Sequence, residues 1–333
     1  MFTVNINYIK MKTTVEISSM ETNKKERTRI KRVEPDEQKI KKILVPVDFS
    51  DISDYAAFSA ATIANVFNSK LYLIHVLDYH KTSYSVEAFT SNSILPIAEI
   101  EVEFYGKLND LRLLIEKQSG INSRMYVTEG VIYDEILKFA HENNIDMIIM
   151  GTHGLSGYKE FFSGSNAEKV IKHSDIPVLT MKKEEMFSDF RHILLPIDNS
   201  PHSREKVNTA IDIAEAYGSQ IHLLGLPDSK DDAELKTISI KIESVERVLE
   251  NNNIPFETHI IDDEKYLAKA ALDYGRKYDC DLIIINSGHE SKVNGDVPDM
   301  FAHQIINNSK IPVLSVKPTE DSYIIAAPGF GIS

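Results

Sequence analysis

A chain of 333 residues, 42% hydrophobic and 26% charged, has the composition of a globular protein and the length for about two domains. Its formal net charge of −13 excludes a general nucleic-acid or anionic-membrane binder, which needs clustered lysine and arginine. Its single cysteine, Cys280, excludes an intramolecular disulfide framework and a thiolate zinc site.

The elements follow in chain order. Residues 1–40 are expected to form a mobile tail, because lysine and arginine dominate from Glu21 to Lys42, apolar residues are sparse and Pro35 interrupts any helix. That basic stretch leaves two readings open, a contact with an acidic partner or lipid surface, and a solvated leader with no role in the fold. KILVPV (42–47) is a short apolar run and predicts a strand. Asp51–Asn68 has alanine-rich helical spacing, and LYLIHV (71–76) is a second run. The connection 79–96, YHKTSYSVEAFTSNSILP, is long enough for a lid over a site or a plain surface loop. Apolar residues then recur at helical intervals from Ile97 to Gln118, and RMYV (124–127) is a third run. A helix over Tyr133–Glu142, a strand over Met147–Met150, a helix over Asn166–His173 and a strand over Pro177–Met181 complete a unit.

The unit then repeats. KKILVPVDFSD at 41–51 returns as RHILLPIDNSP at 191–201, with Asp48 on Asp198, and SKLYLIHVLD at 69–78 returns as SQIHLLGLPD at 219–228. The offset there is 150. DMIIMGTHG at 146–154 returns as DLIIINSGH at 281–289 and SDIPVLTMKK at 174–183 as SKIPVLSVKP at 309–318, at an offset of 135. The second copy is about fifteen residues shorter, and the connection after its second strand is the place expected. Residues 319–333 lack periodicity and read as a loose tail. Strands without clean alternation, separated by helices, predict an α/β fold. It has two tandem doubly wound domains (41–184 and 191–318), each a five-stranded parallel sheet flanked by helices.

In such sheets ligands lie beyond the carboxyl ends of the strands, where strand order reverses. That directs attention to Asp48, to His75 and Val76, and to Gly151 onward. Residues 151–171, GTHGLSGYKEFFSGSNAEKVI, cross from strand to helix with few side chains at the loop's ends. A glycine at 151 can take positive φ and lets a ligand reach the backbone, and Gly154 repeats that freedom. Gly164 and Ser165 stand where a helix begins, with unpaired N–H groups suited to phosphate oxygens. The competing reading is plain: Ser165 with Glu168 makes a capping box, and Asp48 is a turn or capping carboxylate. His75 reads as a packed strand-end residue and His153 as the better exposed of the two. The loop is neither a Walker loop nor a dinucleotide fingerprint.

Gly151-x2-Gly154-x9-Gly164-Ser165 is similar to the ATP-binding signature of the universal stress protein family. ILVPVDFSD, DMIIMGTHG and HSDIPVLTM resemble that family's recurring segments. The resemblance covers residues 41–318. It implies a nucleotide-binding, α-hydrolase-like sheet, an adenine nucleotide at its carboxyl edge, and pairing of two domains through their last strands. Carried over by position, Pro46, Asp48 and Val76 flank the adenosine, and Met150, Gly151, Gly154, Gly164, Ser165 and Asn166 hold ribose and phosphates. The ligand implied is ATP or AMP, with or without Mg2+. The second copy departs from the pattern: Asn286, His289, Asp299 and Met300 stand for Gly151, Gly154, Gly164 and Ser165, and an aspartate at the helix start repels phosphate. It is therefore expected to be a degenerate site that does not bind ATP in the family manner, and that serves as an in-chain partner surface or holds some other ligand. His289 and His303 complete no metal spacing.

No catalytic residue is assigned, since phosphoryl transfer needs more carboxylates than Asp48 supplies at this edge, so the expectation is slow hydrolysis or none. The expected function is that of a cytoplasmic stress-response protein whose nucleotide sets a surface for an unknown protein partner. No stretch is long and apolar enough for a membrane span, and the N-terminus lacks a signal-like core. A slow ATP-hydrolysing switch and a ligand-free interaction scaffold remain as alternatives, and a homodimer remains open.

Overall fold

The computed structural model describes residues 39–78, 97–152, 166–182, 189–198, 204–227, 229–261, 266–287 and 300–318. The chain divides into the units Met1–Lys31 and Arg32–Ser333. The first lies outside the described residues, as do the connection 79–96 and the segment 319–333.

The first repeat runs β1 (Lys42–Pro46), α1 (Asp51–Phe67), β2 (Lys70–Leu77), α2 (Ile97–Ser119), β3 (Ser123–Glu129), α3 (Ile132–Glu142), β4 (Met147–Gly151), α4 (Asn166–His173) and β5 (Val178–Met181). The second runs β6 (His192–Ile197), α5 (Arg204–Tyr217), β7 (Gln220–Gly225), α6 (Asp232–Asn251), β8 (Phe256–Ile260), α7 (Leu267–Lys277), β9 (Leu282–Asn286), α8 (Met300–Asn308) and β10 (Val313–Val316). The ten strands form one sheet in the order β3-β2-β1-β4-β5-β10-β9-β6-β7-β8. Within each repeat the pairings are parallel; β5 and β10 meet antiparallel, with Leu314 opposite Leu179. The expected pairing through last strands is thus made inside one chain.

Both faces of this sheet are covered, which is why its inner strands read as continuous apolar runs. One face buries Ile43, Val45, Leu73 and Ile193 under α1, α2, α5 and α6; the other buries Leu44, Ile74, Ile148 and Ile283 under α3, α4, α7 and α8. Helix α1 lies close to the sheet because five of its ten buried residues are alanines, Ala56, Ala57, Ala60, Ala61 and Ala64. Ser50 caps its start, accepting the Ser53 N–H, and Asn68 ends it in the left-handed region at φ 56°. The second repeat uses Gly218 there, at φ 66°.

The repeats share their polar staples as well. Asp146 accepts the N–H groups of Lys41 and Lys42, and Asp281 those of Arg191 and His192. Ser69 donates to the Ile40 carbonyl and Ser219 to that of Phe190. Ile40 is buried, so the folded chain is under way by then. Between repeats, Lys182 Nζ donates to the Asn307 and Ser309 carbonyls at the end of α8, and Lys317 pairs with Asp175 at 2.6 Å. Phe67 of α1 meets Tyr217 of α5 edge to face, and Lys39 pairs with Asp212.

Strand pairing also locates the shortfall of the second copy. Leu71 pairs with Ser123 and its equivalent Ile221 with Phe256, so the offset drops from 150 to 133 at the third strands. It returns to 135 at the fourth, where Gly151 and Asn286 correspond.

Candidate functional site

Strand order reverses between β1 and β4, and there the ends of β1, β2 and β4 converge. Pro46 ends β1, Val76 lies at the end of β2 opposite Thr128, and Met150 and Gly151 end β4. Val76 and Met150 are buried on the α3/α4 face. Asn166 opens α4. His153, Gly154, Gly164 and Ser165 lie outside the described residues, as do His289 and Asp299.

Asp48 is exposed beyond β1 and its Oδ1 accepts the Ser50 N–H at 3.0 Å, a turn that delivers the chain into α1. The turn reading of Asp48 is therefore correct for one oxygen, and it fixes the carboxylate at the strand-end edge. Phe49, between them, sits at φ 62°, an uncommon conformation for a bulky residue. Packing holds it: its ring lies 4.6 Å from that of His75 and 5.7 Å from that of Phe104. His75 stacks on Phe104 at 4.6 Å, and its Nδ1 lies 2.7 Å from the Val47 carbonyl oxygen, so that nitrogen carries the proton and donates. Burial lowers the pKa of His75 against the opposing pull of that hydrogen bond, and the imidazole stays neutral at pH 7. It is a packed strand-end residue.

Gly151 is needed for a different reason from the one its loop position suggests. It has no positive φ, and a Cβ built on it would stand 2.5 Å from Ile52 Cγ2 and 2.7 Å from the Ile52 carbonyl oxygen. The first turn of α1 occupies the space that a side chain would need. Thr152 follows, buried, with its N–H donated to Met181.

Phe49, Phe104 and Asp54 belong to this edge and were not singled out from sequence. Asp54, in the first turn of α1, has a buried Oδ1 with no hydrogen-bond partner among the described residues. Burial first, then the Asp51 and Asp48 charges, raises its pKa to about 7. Because the folded pKa exceeds the ordinary carboxylate value, folding takes up a proton between about pH 4 and 7, and stability falls as pH rises through that window. Asp54→Asn is expected to stabilise the chain by about 2 kcal/mol at pH 8 and by nothing near pH 4. Urea midpoints at the two pH values measure this, and equal shifts at both would rule out the buried charge as the cause.

The same edge of the second repeat is built differently. Gly225 takes the place of His75, and a Cβ there would meet Ile242 at 2.8 Å and Ile238 at 3.0 Å, so isoleucines fill the imidazole's space. Lys206 takes the place of Ala56, buried, and donates to the Pro196 carbonyl at 2.8 Å, while Lys241 donates to that of Asp198. Asn286 replaces Gly151, its Oδ1 buried without a partner among the described residues.

The profile of the universal stress protein family matches residues 39–182 and again 189–317. The chain belongs to the universal stress protein family. A universal stress protein of Methanocaldococcus jannaschii is 37% identical over 144 residues, which are 43% of this chain and 82% of that protein. A second from the same organism is 30% identical over 159 residues, 43% of this chain and 96% of the relative. Each thus corresponds to one repeat's share of the present universal stress protein. A crystal structure of a universal stress protein from Archaeoglobus fulgidus superposes with a TM-score of 0.67 at 21% identity, covering 84% of this chain and 97% of that one, and supports the whole tandem fold. No described helix of this universal stress protein is long and apolar enough to cross a membrane.

Proposed function

We propose that this universal stress protein binds an adenine nucleotide, ATP or AMP, in its first repeat only, and that occupancy sets the surface shown to a protein partner. The observation that carries the reading is the contrast between the two strand-end edges. In the first, Pro46, Asp48, Val76, Met150 and Gly151 converge beside the α4 N-terminus, whose unpaired N–H groups and partial positive charge suit phosphate oxygens. In the second, Pro196, Asp198, Leu226 and Ile285 repeat the first four, but Asn286 stands for Gly151, Lys206 for Ala56, and isoleucines fill the place of His75.

In this reading Pro46, Asp48 and Val76 flank the adenosine, and the loop from Gly151 through Gly154 and Gly164 to Ser165 and Asn166 wraps ribose and phosphates. Among the described residues no group of three histidine, cysteine, aspartate or glutamate side chains can hold a metal. Magnesium accompanying a triphosphate therefore relies mainly on phosphate oxygens and water. His75 donates through Nδ1 to Val47 and Asp48 is engaged in its turn, which leaves Asp54, with its raised pKa and buried Oδ1, as the carboxylate of this edge able to take a proton. The proposed role is holding nucleotide in a cytoplasmic regulatory protein, with turnover slow or absent.

Mass spectrometry of small molecules released on denaturing the freshly purified full chain tests this, beside Gly164→Asp, which copies the second repeat. Wild type is expected to release about one adenine nucleotide per chain and the variant none. If wild type neither carries nor takes up an adenine nucleotide, the loop is a turn only and the protein is a scaffold.

A further inference from the structure

Helices α3 and α7 correspond at the 135 offset, as do α4 and α8, so the groove between each pair can be compared residue by residue. In the first repeat a tyrosine bridges the two helices. The Tyr133 ring lies 5.9 Å from that of His173 and has the Lys169 ammonium 5.2 Å from its centroid. In the second repeat these three residues are Ala268, Asn308 and Gln304, and Ala140 beneath them is Gly275. The aromatic stopper and the cation over it have gone together, and a cavity of ≈ 650 Å³ lies between α7 and α8.

Its floor is apolar: Leu272, Ile283 and Ile311 line it beside Cys280, whose thiol burial pushes up to about 12, so that it stays protonated and acts as an apolar wall. The rim is basic on balance in a chain of net charge −13, with Lys269, Arg276 and Lys310 against Asp273 and Asp279. Asp273 is already shared by Lys269 and Arg276. Lys310 makes no ion pair among the described residues. Its counterpart in the first repeat is Asp175, so the sign of that lip is reversed.

We propose that this cavity is a second ligand site, for a small aromatic anion. The ligand's ring takes the place that Tyr133 fills in the first repeat, and its acid group lies at Lys310. The volume suits a ligand of drug-like size, and an apolar floor with few convergent polar groups is the usual form of such a site. The site is separate from the strand-end edge: it is built from α7, α8 and the turns entering β9 and β10, whereas the nucleotide reading concerns the opposite ends of the strands in the other repeat.

The test is a fluorescence titration of the full chain with 8-anilinonaphthalene-1-sulfonate, an aromatic anion, in the presence of saturating ATP. Wild type is expected to bind saturably, and Ala268→Tyr, which restores the stopper, to bind at least about tenfold more weakly with an unchanged melting temperature. Lys310→Asp, a surface change, is expected to weaken the sulfonate probe by about fivefold or more while leaving the neutral N-phenyl-1-naphthylamine unaffected. Wild-type affinity in a folded Ala268→Tyr chain would overturn the site, and an unchanged sulfonate affinity in Lys310→Asp would overturn its preference for an anion. Should Ala268→Tyr not fold, Lys310→Asp alone carries the test.

Discussion

Gly151→Val is expected to cost about 3 kcal/mol of stability and to abolish nucleotide retention, with Gly151→Ala falling between it and wild type. The physical reason lies in what the new atoms would strike. A flexible side-chain end could yield, but the Ile52 carbonyl at 2.7 Å is backbone in the first turn of a helix. For the β-carbon to fit, α1 must lift from the end of β4. That movement carries the Ser50 cap, the Asp48 turn and the Phe49 ring with it, since all three belong to the entry of the same helix. One substitution thus reaches both strand ends of the edge. The chain has no tryptophan, so unfolding is best followed by far-UV circular dichroism in urea. A loss below about 0.5 kcal/mol for the valine variant would mean that α1 has room to move and that the close approach is not needed.

Leu314→Ala is expected to lower stability by about 3 kcal/mol and to do so for the whole sheet at once. Leu314 is fully buried, faces Leu179 across the antiparallel pair, and belongs to a core layer that continues from the first repeat into the second. The two repeats should keep unfolding in one transition at the lower midpoint, because each loses the same packing partner. Two separate transitions, with one at the wild-type midpoint, would show that the repeats are independent and the central pair incidental. By contrast Lys317→Ala removes an ion pair whose aspartate is 84% exposed, and is expected to change stability by less than about 0.5 kcal/mol.

Much of this architecture was legible in the residues. The strand runs and the alanine-rich first helix place the elements of the first repeat to within about two residues, because burial on both sheet faces leaves apolar runs that are hard to miss. The reason for Gly151 was not legible. A glycine after a strand reads equally as a positive φ, a ligand's path or a helix's close approach, and only the position of Ile52 decides among them. Phe49 was hidden in the same way, since no local pattern announces a left-handed phenylalanine; it is held there by His75 and Phe104 from elements far along the chain. Tyr133 and Ala268 could be aligned by anyone reading the repeats, yet their difference acquires meaning only when both are seen to face a groove between helices.

The antiparallel meeting of β5 and β10 has a consequence for how such a protein can diverge. Were the two sheets on separate identical chains, each would find its partner by mass action, and every substitution would appear on both sides of the junction. Joined by the short stretch from β5 to β6, the sheets meet at an effective concentration on the order of millimolar, whatever the amount of protein in solution. Their pairing survives dilution, and each half is free to change without its twin. Lys182 at the end of α8 and Lys317 on Asp175 already show two equivalent lysines put to different uses.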